Sequence, residues 1–376
     1  MLKRPCLKRP RLGRARQRDD QGLVAVLVAV ITVPVLFGLG TLVIDVGSLY
    51  AEKRQLQNGA DAAAYAVASG CVRSLVDCTS AASTAQGRAN NNADDATSTV
   101  DEVCGSVGPT GGALSTCGAT RCPQNPAATL PPLGTTFVRV TTSTRGSSGA
   151  TVMPPLLSGA LGFTTGSRVC AEATVSWGAP AGVTTVPLTF SQCEFNRLVP
   201  TGIPAEPGSG TAQILFHDGN SSDLCSAGRS NADAPGAFGF LSPDGSASCV
   251  VTVVNGKVPT STGNAVPNPC TDTFNHAKQT AADPNRIANT TVLIPIFTAV
   301  TGNGSNVVYT ISGYAAFFIT GWNFNGQNYF PEKPAAPPCK GSETCIAGYF
   351  QRYVSLDDPL GTGPALYGLA VTKLTG

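Results

Sequence analysis

Residues 23–44 read LVAVLVAVITVPVLFGLGTLVI, and residues 45–66 continue DVGSLYAEKRQLQNGADAAAYA. The first stretch contains no charged residue. Its 22 residues, at about 1.5 Å of helical rise each, extend about 33 Å, enough for a hydrocarbon layer about 30 Å thick. A transmembrane helix is predicted here. Pro34 removes one backbone donor inside it, which a membrane helix tolerates because neighbouring groups compensate. In the second stretch Val46, Leu49, Tyr50, Leu56, Ala60, Ala63 and Val67 recur at helical spacing, with Glu52, Lys53, Gln55, Gln57 and Asp61 between them. One continuous helix is predicted from about residue 23 to 69, ending near Gly70, where glycine commonly closes a helix. Residues 45–70 then form an amphipathic stem. Periodicity leaves open whether that stem packs laterally against other helices or forms the core helix of an outer domain.

The flanks set the expected orientation. Lys3, Arg4, Lys8, Arg9, Arg11, Arg14, Arg16 and Arg18 precede the apolar run, so the small net charge of +2 hides a strongly basic N-terminal tail and an acidic remainder. Placed beside a membrane span, such a block is a retention signal, and residues 1–22 are expected in the cytoplasm with residues 45–376 outside. A nucleic-acid-binding tail is the competing reading of the charge. A cleaved export signal would have a shorter apolar core closely followed by small residues, whereas the first alanine-rich candidate here, near Ala62–Ala66, comes after a charged stretch. Cys71 in ASGC is a near-match to a lipidation box but lies far beyond the apolar run.

The cysteines agree with this topology. Of the 13, only Cys6 precedes the span, leaving Cys71, Cys78, Cys104, Cys117, Cys122, Cys170, Cys193, Cys225, Cys249, Cys270, Cys339 and Cys345 as an even set suited to disulfides in an oxidising compartment. No C-x-x-C occurs, and His217 and His276 are the only histidines, so zinc is disfavoured. Cys71 with Cys78, and Cys339 with Cys345, are close enough to form local clips. Cys104, Cys117, Cys122 and Cys170 make a second set and Cys193, Cys225, Cys249 and Cys270 a third, without a connectivity.

Charged residues are scarce at 13%, while Gly (42) and Pro (28) are abundant, a balance that fits a loop-rich β protein better than disorder. Residues 71–132 read as a loop-dominated insertion held by disulfides. Val, Thr and aromatic residues concentrate at 135–144, 168–177, 183–190, 212–216, 249–254, 290–299, 307–320 and 365–372, which are predicted strands. YTISGYAAFFITGW, residues 309–322, is apolar but too short to span, and reads as a buried strand. The expected fold class is α+β and mostly β. One transmembrane helix continues as the stem, followed by a small Cys-containing α/β module over 71–180 and a β-rich domain over 181–376.

Motifs that carry chemistry are missing. Gly146-Ser-Ser148-Gly-Ala150 breaks the nucleophile-elbow pattern at its last position, and no phosphate-binding glycine loop or H-E-x-x-H helix occurs. His217, Asp218 and Asp223 in HDGNSSD make the best oxygen-ligand string, though such strings are most often plain Asx turns. Asp357 and Asp358 are neighbours in sequence, which says nothing about a shared cleft. No catalytic, cofactor-binding or metal-ligating residue is assigned.

One stretch does resemble a known family. The apolar run with Pro34, followed by Asp45, Gly47, Tyr50, Lys53, Arg54, Leu56, Gln57, Asn58, Ala60, Asp61 and Ala62–Ala64, resembles the N-terminal signature of the TadE/G-like proteins of Tad (Flp) pilus-assembly systems. FVRVTTSTR, PPLLSGALG and SRVCAEATVSW resemble the strand, short helix and strand that follow it, and the tail resembles the outer domain of TadG-related proteins. The resemblance implies a non-catalytic, single-pass component of the cytoplasmic (inner) membrane with its C-terminal region outside. It also implies contacts with pilus-machine proteins through the stem helix, and neither a nucleic-acid nor a small-molecule partner. Two departures are visible. Leu27 stands where prepilin processing expects glutamate, five residues after Gly22. Asn220 in the string Asp218-Gly-Asn220-Ser-Ser222 replaces the first serine of a von Willebrand A-like metal motif. The alternative function is an anchored, adhesin-like binding module, with an extracytoplasmic enzyme third.

Overall fold

The computed structural model describes residues 16–73, 78–107, 114–118, 122, 131, 136–146, 148–157, 159, 162, 165–202, 204–217, 238–254, 257–259, 266–275, 279–280, 286–301, 307–324, 326–330, 343–361 and 367–375. Helix α1 is unbroken over Arg16–Arg73 and carries Pro34 in its interior. It starts earlier than the sequence predicts and runs through Gly70 rather than stopping there. The polar side chains in its upper half fold back on the helix, with Thr41 Oγ1 donating to Gly38 O and Ser48 Oγ to Asp45 O. Among the described residues it is the one helix long and apolar enough to cross a membrane, and its most apolar stretch is only 6% buried.

Helix α2, Ala81–Asn90, returns antiparallel to α1. Cys71 is bonded to Cys78 at one end, Gly59 lies against Ala89 at the other, and Gln55 meets Asp94 just beyond it. Ala81, Ala85 and Ala89, spaced by four, are its buried residues. Residues 71–132, expected from composition to be a loop-dominated insertion, include regular elements among the described residues. They contain α2 and strand β1 (Thr99–Ser106), whose alternation is interrupted by a bulge between Val100 and Glu102.

The remaining strands are β2 (Thr136–Ser143), β3 (Cys170–Gly178), β4 (Gly182–Thr185), β5 (Leu188–Ser191), β6 (Gln213–Phe216), β7 (Phe238–Phe240), β8 (Val251–Val254), β9 (Lys257–Pro259), β10 (Thr290–Thr301), β11 (Val308–Phe324), β12 (Gln327–Tyr329), β13 (Cys345–Gln351), β14 (Tyr353–Ser355) and β15 (Leu369–Leu374). A short helix α3 spans Gln192–Leu198, its amide at Glu194 capped by Ser191 Oγ. The strand expected at 183–190 is two strands in different sheets, with Pro187, which has no amide to donate, between β4, paired with β8, and β5, paired with β10 and β7. The helix expected at 154–162 is irregular over Pro154–Leu157, and the rest of it lies largely outside the described residues.

The first sheet has the order β1-β2-β3-β15-β14, and the second β6-β13-β11-β10-β5-β7, with β9 and β12 also pairing β11; β4 and β8 form a separate ribbon. The sequence apolar enough to raise a second span, 309–322, is the buried heart of β11, paired along both edges. The core of the second sheet is aromatic: Phe190 meets Phe317 edge-on at 4.9 Å, and Phe274 packs against Trp322 and Phe324. The division expected at residues 180/181 does not separate the sheets. All nine residues of β3 are buried, so it needs neighbours on both edges, and β15 returns from the far end of the chain to supply the second.

Candidate functional site

The signature residues of α1 fall on two sides of the helix. On the inner side Leu56 packs against Val169 and Ala171, and Ala60, Ala63, Ala64, Val67 and Ala68 lie on Val138, Val140, Ala173, Val175 and Trp177 of β2 and β3. Alanine is what this contact needs, since small side chains let a helix backbone approach a sheet without losing helix propensity. Gly59 makes the same allowance toward α2, where a Cβ would lie 3.3 Å from the Ala89 backbone. Polar bonds fix the register. Gln57 Nε2 donates to Asp61 Oδ1 at 2.9 Å and to the Glu172 carbonyl at 3.1 Å. Thr142 Oγ1 donates to Leu56 O at 3.0 Å, and the Leu374 amide donates to Tyr65 Oη at 3.2 Å. Higher on the helix, Asp45 Oδ1 accepts the amides of Leu156 and Leu157 at 2.9 and 3.0 Å.

The stem is thus the core helix of the first sheet's domain from Leu56 onward, and its apolar stripe there is covered. The other signature residues face away. Tyr50 is 66% exposed, Arg54, Asn58 and Gly47 are exposed, and no described residue lies within 4 Å of a Cβ built on Gly47. Their spacing of three, four and four residues aligns them in one ridge along the helix. Lys53 is half-buried beside that ridge.

On the opposite face of the first sheet, away from α1, lies a buried charged layer. Arg139 Nη2 donates to Glu102 Oε2 at 2.8 Å and to Gly118 O at 3.2 Å, with Glu172 Oε1 3.9 Å from Nη1. Arg139 and Glu172 are each about 1% exposed. This arrangement holds the Cys104–Cys117 loop against the sheet. Disulfides also join Cys71–Cys78, Cys122–Cys170 and Cys249–Cys270, and Cys193 and Cys345 are disulfide-bonded as well. Cys6, Cys225 and Cys339 lie outside the described residues.

Other candidates for chemistry are dispersed. His217 is buried, edge-on to Phe238 and stacked on Phe240, while His276, Asp218, Asn220, Ser222 and Asp223 lie outside the described residues. Asp358 accepts from Ser355 Oγ at 2.6 Å in a local turn; Gly146 donates to Ala150 O in another. Tyr314 is pushed up to about 12 by burial and donates to Val253 O. Among the described residues no group of three or more His, Cys, Asp or Glu is placed to hold a metal ion. A cleft of about 190 Å³ lined by Leu198, Pro200, Pro204 and Tyr349 is smaller than the roughly 300 Å³ at which small-molecule pockets begin.

The ridge and the inner face belong to one stretch of chain, and that stretch is the part similar to a known family. Residues 22–70 match the Tad family model, described as Flp pilus-assembly TadE/G-like. No curated protein and no solved structure matches the chain. The matched residues take in the apolar run, the exposed ridge and most of the inner face, and they stop short of the β-rich part. Through residues 22–70, the chain is similar to the Flp pilus-assembly TadE/G-like family.

Proposed function

We propose that this protein is a non-catalytic, single-pass envelope component of a Tad (Flp) pilus-assembly or tight-adherence system. In this reading α1 crosses the cytoplasmic membrane with residues 1–22 inside, and the disulfide-bonded β-rich part stands outside. The single observation that carries it is the use made of the family-matched helix. Its inner residues hold the outer domain, while Gly47, Tyr50, Arg54 and Asn58 form a ridge that is exposed among the described residues. A ridge continuous with a lipid-facing span is suited to a neighbouring helix of the pilus machine, with Gly47 allowing close approach and Arg54 and Asn58 supplying polar contacts. The basic N-terminal tail supports the orientation.

The test is complementation of a deletion strain with the full-length protein, or with residues 45–376 behind an unrelated export signal, scored for surface pili by electron microscopy. Pili are expected with the full-length protein alone. Normal piliation in the uncomplemented deletion strain would defeat the assembly role.

A further inference from the structure

Between β2 and β3 the chain leaves the sheet, is clamped by the paired bonds of Met153 and Ser167 at 2.9 and 3.0 Å, and brings Leu156 and Leu157 to Asp45 near the middle of α1. Val152, Leu156 and Leu157 are 42%, 60% and 40% exposed. No charged residue lies between Arg145 and Arg168. The loop does not wander: both leucine amides are held by Asp45 Oδ1, the carboxylate of the first residue after the apolar run. Ile44 and Val46, on either side of that carboxylate, are themselves 47% and 40% exposed. The loop's apolar tip and the end of the span therefore share one level along the helix axis.

We propose that Val152–Leu157 is a second membrane contact, with Leu156 and Leu157 entering the outer leaflet beside the helix and seating the domain on the lipid surface. The proposal rests on the reading of α1 as a membrane span. Continuity with that span selects lipid as the occupant: an apolar loop pinned at the interface meets acyl chains without any further partner. Asp45 is its positioning residue, satisfying two amides that would otherwise be carried bare into a medium poor in hydrogen-bond partners.

The full-length protein in phosphatidylcholine–phosphatidylglycerol vesicles tests this, with Leu156→Trp reporting the loop and Phe37→Trp, in a separate variant, reporting the span. Quenching by brominated lipids is read as the difference from the parent protein, whose tryptophans are buried. Phe37→Trp should be quenched most by deep bromines and Leu156→Trp by bromines near the glycerol end, and Asp45→Ala should weaken the second signal while sparing the first. If Phe37→Trp is quenched but Leu156→Trp emits as in water, the loop contact is wrong and the span stands. A blue-shifted Leu156→Trp that no brominated lipid quenches would mean that protein covers the loop, overturning the lipid assignment. If neither is quenched, the span reading falls and takes the loop with it.

Discussion

Leu56 and Arg54 are two residues apart on one helix and belong to different jobs. Leu56 is 4% exposed and fills the space beside Val169 and Ala171, so Leu56→Ala leaves a cavity and should cost about 2–4 kcal/mol. Arg54 is exposed on the ridge, and Arg54→Ala should leave stability within about 0.5 kcal/mol of the parent while reducing surface pili. Thermal melts of the detergent-solubilised full-length protein, set beside pilus counts, check both halves; equal melting losses would remove the division between inner and outer faces. The helical spacing of Leu56, Ala60, Ala63 and Val67 was legible in the sequence. What that stripe covers was not, because a periodic apolar face looks the same whether its neighbour is another chain or the molecule's own sheet.

At the scale of elements, the strongly patterned segments were the readable ones. Strands β2, β10 and β11 carry long runs of Val, Ile, Thr and aromatic residues, β3 carries Thr, Val and Trp, and all four lie close to where composition puts them. Strand β1 escaped because Asp101 and Glu102 sit among its valines and a bulge shifts the alternation. Helix α2 escaped because its buried face is only alanine, too weakly apolar to stand out in a Ser- and Asn-rich stretch. The disulfides could be expected as a set, whereas their pairing depends on which strands the fold brings together. Their leverage differs. Cys122 and Cys170 are 48 residues apart and Cys71 and Cys78 are 7 apart, so loop-closure entropy assigns about 4 kcal/mol to the first and about 2.4 to the second. Replacing each pair with serine and comparing thermal unfolding should show the larger loss for Cys122→Ser/Cys170→Ser; the reverse order would mean that Cys71–Cys78 acts mainly by holding the α1–α2 turn in shape.

For the whole molecule, the first sheet is joined by residues from distant parts of the chain. Ser176 and Thr375, 199 residues apart, share a hydrogen bond, and Leu374 reaches Tyr65 of α1 across 309 residues. Strand β15 lies inside that sheet, between β3 and β14. Deleting residues 369–376 should therefore abolish the folded β-rich part rather than trim it, read as loss of near-UV circular dichroism and of protease resistance in α2 and β1–β3. Survival of a protease-resistant fragment containing those elements would show that the first sheet closes without β15. This return was illegible in the sequence, since a six-residue strand carries no mark of a partner so far away.

The same return sets a timetable. Synthesis delivers α1 first, and in the proposed topology that helix is already lodged in the lipid while most of the outer domain is still to be made. Its alanine face can find β2 and β3 early, but the sheet they form keeps an open edge along β3 until β15 crosses the membrane. During that interval β3 is a strand in search of a neighbour, and unpaired strands recruit whatever backbone is near. A rival subunit, or a second nascent copy of this chain, would meet it at its most adhesive. In that topology, arrival of residues 369–374 closes the open edge and ends that vulnerability.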